Sequence, residues 1–214
     1  MKIIIPARGN SKRILNKNIV DLNGQPLISY AIGTSLDITD EVFVSTDSTE
    51  IGEIAKEYGA QVIQRPDELS KDSSTTASVI HHFLEVVGDV DCLICVQATS
   101  PLLQSHYVQM GIEKFKSGIY NSIISAYKER QFCWNENGTP INFTVTNKPR
   151  SQNMRSWYVE NGAFYITSKE FFLRENSLIG GNVGFVLMPK IDSIDIDEHE
   201  DLELARIIMS SENH

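Results

Sequence analysis

The sequence predicts an α/β fold in which a mostly parallel β-sheet carries helices on both faces. Over the first 130 residues, short apolar runs alternate with amphipathic stretches, which is the pattern of strands joined by crossover helices. With 214 residues, 41% of them hydrophobic and 22% charged, the chain can bury one sizeable core. We therefore expect a single domain that spans residues 1–214.

The predicted strands are short runs rich in β-branched residues, and most are followed by a helical segment. Strands are expected at residues 2–6, 41–46, 60–64, 92–97, 122–127, 163–167, 184–188 and 193–196. Helices are expected at residues 26–36, 50–58, 76–87, 107–116 and 198–209. Pro26 suits the first turn of the first helix, and Ser48 suits the cap of the second.

The segment at about 130–160 interrupts this alternation of strands and helices. It lacks a helical period and contains the turn signals Asn137-Gly138 and Thr139-Pro140. We interpret residues 132–155 as an inserted β-hairpin with an irregular arm, and not as a second domain. Arg150 in this arm would suit the carboxylate of an acidic ligand, although surface arginines are more common than ligand arginines.

Charge and composition exclude several classes of partner. The formal net charge of −9 argues against nucleic acid and membrane surfaces, because both need a broad face of Lys and Arg. The apolar run at 3–5 is far shorter than the roughly 20 residues that span a bilayer, and we expect a cytoplasmic protein. Three cysteines are too few for a disulfide framework, and the apolar setting of Cys92 and Cys95 favours buried structural thiols.

A basic loop follows the first predicted strand. Its residues include Arg8, Gly9, Ser11, Lys12, Arg13, Lys17 and Asn18. Ligands of open α/β sheets bind beyond the carboxyl ends of the strands, where this loop is expected. Small residues let backbone N–H groups approach an anion, and the cations neutralise its charge, so the loop suits a triphosphate. Its sequence matches neither the P-loop pattern nor the dinucleotide-binding pattern. The alternative is a solvated basic loop.

Two aspartates follow the last predicted strand. Asp195 and Asp197 flank Ile196, so both carboxylates would face the same way if the alternation of the strand continues. Paired carboxylates suit Mg²⁺, which proteins hold by one or two carboxylates together with substrate phosphates. The competing interpretation is that Asp197 caps the following helix and Asp195 is solvated.

Polar residues at other strand ends are candidates for substrate contacts. Gln97, Thr99 and Ser100 end a central strand and could read the hydroxyls of a polar substrate. Thr99 and Ser100 could equally cap the next helix. Arg65 and the polar loop at 72–76 precede a helix, where a base or ribose could be held.

Seven short motifs occur in a fixed order along nearly the whole chain. They are Pro6-Ala7-Arg8-Gly9-x-Ser11-Lys12, Lys17-Asn18, Val44-Ser45-Thr46-Asp47, Arg65-Pro66, Gln97-x-Thr99-Ser100-Pro101-Leu102, Asn161-Gly162-Ala163 and Ser193-Ile194-Asp195-Ile196-Asp197. Together they resemble the acylneuraminate cytidylyltransferases, the CMP-sialic acid synthetases and their relatives. The resemblance implies a Rossmann-like nucleotidyltransferase fold and transfer of a cytidylyl group from CTP to the anomeric hydroxyl of an acidic nine-carbon sugar, a nonulosonate. It also implies Mg²⁺ as the cofactor and a homodimer formed through the inserted arm.

The resemblance further implies roles for individual residues. Arg8, Lys12, Asp195 and Asp197 would be catalytic, and the two aspartates would hold Mg²⁺. The nucleotide-binding residues would be Arg8, Gly9, Ser11, Lys12, Lys17, Asn18, Arg65 and Thr76. The sugar-binding residues would be Gln97, Thr99, Ser100, Arg150, Gln152 and Asn161.

Three positions depart from the usual pattern of that family. Arg13 replaces a frequent glycine, Leu103 a frequent arginine, and Asn153-Met154 a frequent leucine-proline pair. None of these differences removes a proposed phosphate or metal ligand, but they leave the identity of the sugar substrate undetermined. Two alternatives are a glycosyltransferase whose D-x-D motif lies at 195–197, disfavoured by the order of motifs, and a catalytically silent nucleotide-binding relative.

Overall fold

The structure is a computed structural model that describes residues 1–71 and 73–211. Within these residues the main sheet consists of β1 (Lys2–Pro6), β4 (Val42–Thr46), β5 (Gln61–Gln64), β6 (Cys92–Val96), β7 (Ser122–Glu129), β8 (Trp157–Ser168) and β9 (Val183–Met188). A separate hairpin pairs β2 (Asp21–Leu22) with β3 (Gln25–Pro26). The helices are α1 (Leu27–Leu36), α2 (Thr49–Glu57), α3 (Thr76–Val87), α4 (Ser105–Lys116), α5 (Lys169–Glu175) and α6 (His199–Ser211).

The strand order in the main sheet is β5-β4-β1-β6-β8-β7-β9. Neighbouring strands are parallel except at β8, which runs antiparallel to both β6 and β7. The predicted mostly parallel α/β sheet is therefore confirmed. After β1 the chain adds β4 and β5 on one side and then crosses to β6 on the other side. The strand order thus reverses between β1 and β6, where open α/β sheets bind their ligands.

Helices cover both faces of this sheet because its central strands are apolar on both faces. In β1, Ile3 and Ile5 pack in the core formed with α1, α2 and α4, whereas Ile4 packs in the core formed with α3 and α5. All three isoleucines are fully buried, as expected for a strand covered on both sides. A third cluster packs α6 against Ile14 and Ile196. That cluster brings the loop after β1 together with the segment that precedes α6.

The predicted strand at 193–196 is wrong. A 3-10 helix covers Ile191–Ser193, and residues 194–197 belong to neither a strand nor a helix. The backbone N–H of Ile196 donates to the carbonyl oxygen of Thr99 at 2.8 Å. The segment is therefore fixed to the loop after β6 and not to a neighbouring strand.

The first helix also begins later than predicted. Asn23 and Gly24 both have positive φ, 53° and 87°, as in a two-residue hairpin turn that favours Asn-Gly. This turn pairs β2 with β3, so Pro26 belongs to a strand and α1 begins at Leu27. Ser48 caps α2 as predicted, because its hydroxyl oxygen accepts from the N–H of Ile51 at 3.3 Å.

The inserted arm lies between β7 and β8, at the sheet edge where β1 and β6 also end. The predicted hairpin is reduced to one bridge between Trp134 and Pro140, and two 3-10 helices follow at Val145–Asn147 and Ser151–Asn153. β8 begins at Trp157, earlier than predicted, because its first residues pair with the end of β7. The arm therefore projects beside the ligand-binding edge.

Two further features of the described residues are the length of the helices and the burial of the thiols. None of the helices among residues 1–71 and 73–211 is both long and apolar enough to cross a membrane. Cys95 is buried, Cys92 is half-buried, and Cys133 in the arm is exposed. Burial raises the pKa of Cys92 to about 11 and that of Cys95 to about 12, so both thiols are protonated near neutral pH, as structural cysteines are.

Candidate active site

A cavity of about 380 Å³ opens at the carboxyl ends of β1 and β6. Four cationic side chains line it, those of Arg8, Lys12, Arg13 and Lys17. The other lining residues include Ser11, Asn18, Thr99 and Asp197. The cavity lies where the strand order reverses, and its concentration of positive charge suits a polyphosphate.

The loop after β1 keeps its shape through hydrogen bonds to its backbone. The N–H of Gly9 donates to Oδ1 of Asp47 at 2.9 Å, and Nδ2 of the buried Asn18 donates to the carbonyl oxygen of Arg8 at 2.9 Å. A Cβ at position 9 would lie 3.0 Å from Cβ of Ser48, so this close approach favours glycine. Gly9 and Asn18 thus shape the loop, and their contact with a nucleotide remains a prediction.

Lys17 connects this loop with the last segment before α6. Its ammonium donates to the carbonyl oxygen of Ile196 at 2.7 Å and to Oδ1 of Asp197 at 2.9 Å. The Lys17 side chain is only 16% exposed, so the cation depends on these partners in place of water. Lys17 therefore holds Asp197 at the cavity, and a direct contact with phosphate remains a prediction.

Asp195 and Asp197 flank the fully buried Ile196 and have opposite pKa shifts. The hydrogen bond from Lys17 lowers the pKa of Asp197, and the charges of Lys17 and Arg13 add to this effect. Burial raises the pKa of Asp195, although a hydrogen bond from Thr99 opposes the rise and the charge of Asp197 adds to it. Asp195 is nevertheless accessible to solvent. Its raised pKa therefore reflects nearby protein atoms that partly displace water, and the residue is not enclosed in the core.

The cap of α6 comes from a different carboxylate. Oδ2 of Asp201 accepts from the backbone N–H of Glu198 at 2.8 Å and from that of Asp197 at 3.0 Å. The carboxylate of Asp197 contacts Lys17 and Arg13 instead. The alternative in which the Asp197 side chain caps the helix is therefore wrong.

The chemistry of the two aspartates fits a divalent cation. The charge of Asp197 raises the pKa of Asp195, and a cation bound by both carboxylates would relieve that repulsion. In the part of the chain that the structure describes, no group of three or more His, Cys, Asp or Glu side chains could hold a metal by itself. The remaining ligands would come from nucleotide phosphates and water, as is usual for Mg²⁺.

A second cavity, of about 250 Å³, adjoins the first, and Arg8 lines both. Arg65 and Thr76 both line the second cavity, and their contact with a nucleoside remains a prediction. The buried guanidinium of Arg65 donates to the carbonyl oxygen of Ser45 at 2.6 Å and to its Oγ at 3.2 Å, which fixes its position. Burial lowers the pKa of Arg65. Asp72, in the predicted polar loop beside Thr76, lies outside the described residues.

Two of the predicted sugar-binding residues line different cavities. Gln97 lines a third cavity of about 250 Å³, together with Thr76 and Tyr165. Thr99 lines the first, basic cavity, and its side chain lowers the pKa of Asp195. Thr76 lines both the second and the third cavity, so these two cavities are neighbours, as the first and second are through Arg8.

The other predicted sugar-binding residues are either buried within the fold or exposed on the arm. Ser100 is buried, and its Oγ has no hydrogen-bond partner among the described residues. Asn161 is also buried, and its Nδ2 donates to Oγ of Ser193 at 2.8 Å within the fold. Arg150 and Gln152 are exposed on the arm.

Three residues at or beside these cavities had no individual role assigned from the sequence. Arg13 pairs with Asp197, Asp47 anchors the loop after β1, and Tyr165 lines the third cavity. Arg13 and Asp47 each follow the end of a strand, and that position in the sequence indicates residues near a ligand site. Tyr165 lies within β8, where the sequence offers no comparable signal.

Comparison with known proteins identifies the family. The sequence profile of the family described as Cytidylyltransferase matches residues 2–209. N-acylneuraminate cytidylyltransferase B of Danio rerio is 36% identical over 211 residues, which cover 94% of this chain and 49% of the relative. Pseudaminic acid cytidylyltransferase of Campylobacter jejuni subsp. jejuni serotype O:2 is 36% identical over 218 residues, which cover 96% of this chain and 94% of the relative. The chain thus spans about half the length of the fish protein and nearly all of the bacterial one.

Solved structures show the same fold. CMP:2-keto-3-deoxy-manno-octonic acid synthetase, complexed with CTP, superposes with a TM-score of 0.75 at 16% identity, covering 99% of this chain and 98% of that one. 4-Diphosphocytidyl-2C-methyl-D-erythritol synthase from Anaerococcus prevotii superposes with a TM-score of 0.69 at 14% identity, covering 98% of this chain and 97% of that one. With a family match over residues 2–209 and relatives that are 36% identical, the chain belongs to the cytidylyltransferase family of nucleotidyltransferases.

Proposed function

We propose that this protein transfers the cytidylyl group of CTP to the anomeric hydroxyl of a nonulosonate sugar, which yields a CMP-sugar and pyrophosphate. The observation that carries the proposal is the meeting of the basic loop and Asp197 at one cavity, where Lys17 joins them. Relatives named as N-acylneuraminate and pseudaminic acid cytidylyltransferases support CTP and the sugar class. We further propose a cytoplasmic location, where CTP would be available as the substrate.

The proposed reaction is a displacement at the α-phosphorus of CTP. The anomeric oxygen forms a bond to the α-phosphorus and loses its proton. The bond between the α-phosphorus and the oxygen that bridges to the β-phosphorus breaks, and pyrophosphate leaves with the electron pair. Arg8 and Lys12 line the cavity and would neutralise the charge that develops on the phosphates.

Asp195 and Asp197 would hold Mg²⁺ together with phosphate oxygens. A bound Mg²⁺ supplies positive charge that orients the triphosphate and stabilises the leaving group. Lys17 keeps Asp197 in place through its hydrogen bond, and the backbone of Ile196, between the two aspartates, is held by its hydrogen bond to Thr99. One of the two carboxylates would accept the proton of the sugar hydroxyl.

The three cavities divide the substrates in a consistent way. The basic cavity suits the triphosphate, and the adjoining cavity with Arg65 and Thr76 suits the nucleoside. The cavity with Gln97 and Tyr165 suits the sugar. Arg8 is shared by the first two cavities, and we therefore expect it to contact the phosphate nearest the ribose.

Pyrophosphate release tests this function directly. We expect release from CTP in the presence of Mg²⁺ and at least one member of a panel of nonulosonates, including N-acetylneuraminate, legionaminate, pseudaminate and a deaminated form. ATP, GTP and UTP serve as nucleotide controls. Failure with every nonulosonate, together with turnover of another sugar or nucleotide, would refute the assignment. Release of a nucleotide from a nucleotide-sugar donor would favour the glycosyltransferase alternative.

We also propose that the protein forms a homodimer through the arm. The arm and the first two residues of β8 carry large apolar side chains that are 47% to 62% exposed. These are Trp134, Ile141, Val145, Trp157 and Tyr158. Exposed apolar groups concentrated in one segment mark an interaction surface. A second copy of the chain is the partner that the family resemblance implies.

Replacing Ile141 by aspartate should convert the dimer into a monomer in sedimentation experiments, because a charge would enter an apolar interface without a partner. Ile207→Asp is the matched control, since Ile207 on α6 is 67% exposed against 62% for Ile141. The control should sediment like the wild-type protein. A monomeric wild-type protein, or a dimer that survives Ile141→Asp, would contradict an arm-mediated dimer.

A further inference from the structure

Both oxygens of the Asp197 carboxylate are occupied by cationic side chains of the protein. Nζ of Lys17 lies 2.9 Å from Oδ1, and Nη1 of Arg13 lies 2.9 Å from Oδ2. A divalent cation that approaches Asp197 therefore meets a carboxylate whose charge is already compensated. Displacement of one of the two cations would leave more of the charge of Asp197 for the metal.

The two cations differ in how firmly they are held. Lys17 is 16% exposed and also donates to the carbonyl oxygen of Ile196, so its position is fixed. The Arg13 side chain is 58% exposed, and its second partner is Glu198, whose Oε1 lies 3.3 Å from Nε and whose side chain is 56% exposed. Exposed ion pairs are weak and exchange readily. Arg13 is therefore the cation that can leave Asp197.

Arg13 has a second destination within reach. It lines the same basic cavity as Arg8 and Lys12, where the triphosphate is proposed to bind. A planar guanidinium pairs with phosphate oxygens as well as with carboxylate oxygens. The same side chain can thus serve Asp197 before CTP binds and the phosphates afterwards.

We propose that Arg13 is a movable counter-ion that couples metal binding to CTP binding. In the nucleotide-free protein it neutralises Asp197 and opposes the metal. When CTP and the metal bind, the guanidinium moves to the phosphates, which frees the charge of Asp197 for the metal. Arg13 is in this sense a positioning residue, and its role rests on the metal-assisted CTP site proposed above.

Binding of Mn²⁺, followed by the electron paramagnetic resonance of the free ion, tests this role without any turnover. In the absence of nucleotide, Arg13→Gln should bind Mn²⁺ about three- to tenfold more tightly than the wild-type protein, because a competing positive charge is removed. At saturating Mn²⁺ and without sugar, the same variant should bind CTP about tenfold more weakly, because a phosphate contact is lost. A purely structural defect is not expected to raise the affinity for Mn²⁺ while it lowers the affinity for CTP.

Two further variants separate the possible outcomes. Arg174→Gln removes the same charge from α5, where Arg174 pairs with Glu175 at 2.8 Å, and should change neither affinity. Asp197→Asn should lose Mn²⁺ binding; if it binds Mn²⁺ like the wild-type protein, the metal site itself is wrong. If Asp197→Asn loses binding but Arg13→Gln binds Mn²⁺ no more tightly than Arg174→Gln, the metal site stands and Arg13 is not a counter-ion. Weaker binding of both ligands to Arg13→Gln would likewise overturn the proposed role.

Discussion

Replacing Asp197 by asparagine should lower kcat for cytidylyl transfer by about a thousandfold or more. Asparagine keeps the size of the side chain but removes the charge that faces Lys17, Arg13 and the proposed Mg²⁺. Asp195→Asn should have an effect of similar size, since the neighbouring carboxylate is the second proposed metal ligand. In both variants the transition state loses more than the ground state, so the loss should appear in kcat and not only in KM.

Asp201→Asn is the matched control for both substitutions. Asp201 lies in the same acidic segment, but its carboxylate accepts from backbone N–H groups at the start of α6. Its replacement should cost about 1 kcal/mol of stability and leave kcat within about threefold. Pyrophosphate release at saturating CTP and sugar measures all three variants. A kcat within tenfold of the wild-type value for Asp197→Asn would remove that residue from the catalytic site.

The loops that line the cavities could be predicted because they follow strand ends. Arg8 and Lys12 follow β1, and Gln97 and Thr99 follow β6. In a parallel sheet these ends share one edge, so an alternation of apolar runs and amphipathic stretches is enough to bring the loops together. The family resemblance then added the nucleotide and the sugar class.

The position of Asp195 and Asp197 could not be predicted in the same way. Their alternation around Ile196 resembles that of a strand, yet no partner strand exists for the segment among the described residues. It is held instead by the contact of Ile196 with Thr99 and by that of Lys17 with Asp197, which lies 180 residues further along the chain. Such contacts depend on the folded arrangement of distant elements and leave no periodic pattern in the sequence.

The hairpin of β2 and β3 was not predicted for a different reason. Its turn signal, Asn23-Gly24, is present in the sequence, but Pro26 also suits the first turn of a helix. In the structure the turn chemistry decides the local pairing, and Pro26 lies at the end of β3, immediately before α1. Packing supports the same outcome, because Leu22 and Leu27 on either side of this turn are buried against α6.

Lys17→Met should lower kcat by about a hundredfold and leave KM for CTP within about threefold. Methionine keeps the length of the side chain but removes the donor that holds Asp197 and satisfies the carbonyl oxygen of Ile196. That carbonyl and carboxylate would lose a buried partner, so stability should fall by about 1 to 3 kcal/mol in thermal unfolding. If Lys17 bound the triphosphate instead, as the resemblance implies, the main effect would be a raised KM for CTP.

The pH dependence of the Lys17→Met variant gives a second, independent readout. Lys17 lowers the pKa of Asp197 through its hydrogen bond and charge, and it lowers the pKa of Asp195 through its charge. Removing Lys17 therefore raises both pKa values. Because a carboxylate that must be ionised loses function as the pH falls through its pKa, the acid limb of the kcat profile should move to higher pH. Lys17→Arg retains the positive charge and should leave that limb in place, whereas an unmoved limb in Lys17→Met would show that Lys17 does not act through these aspartates.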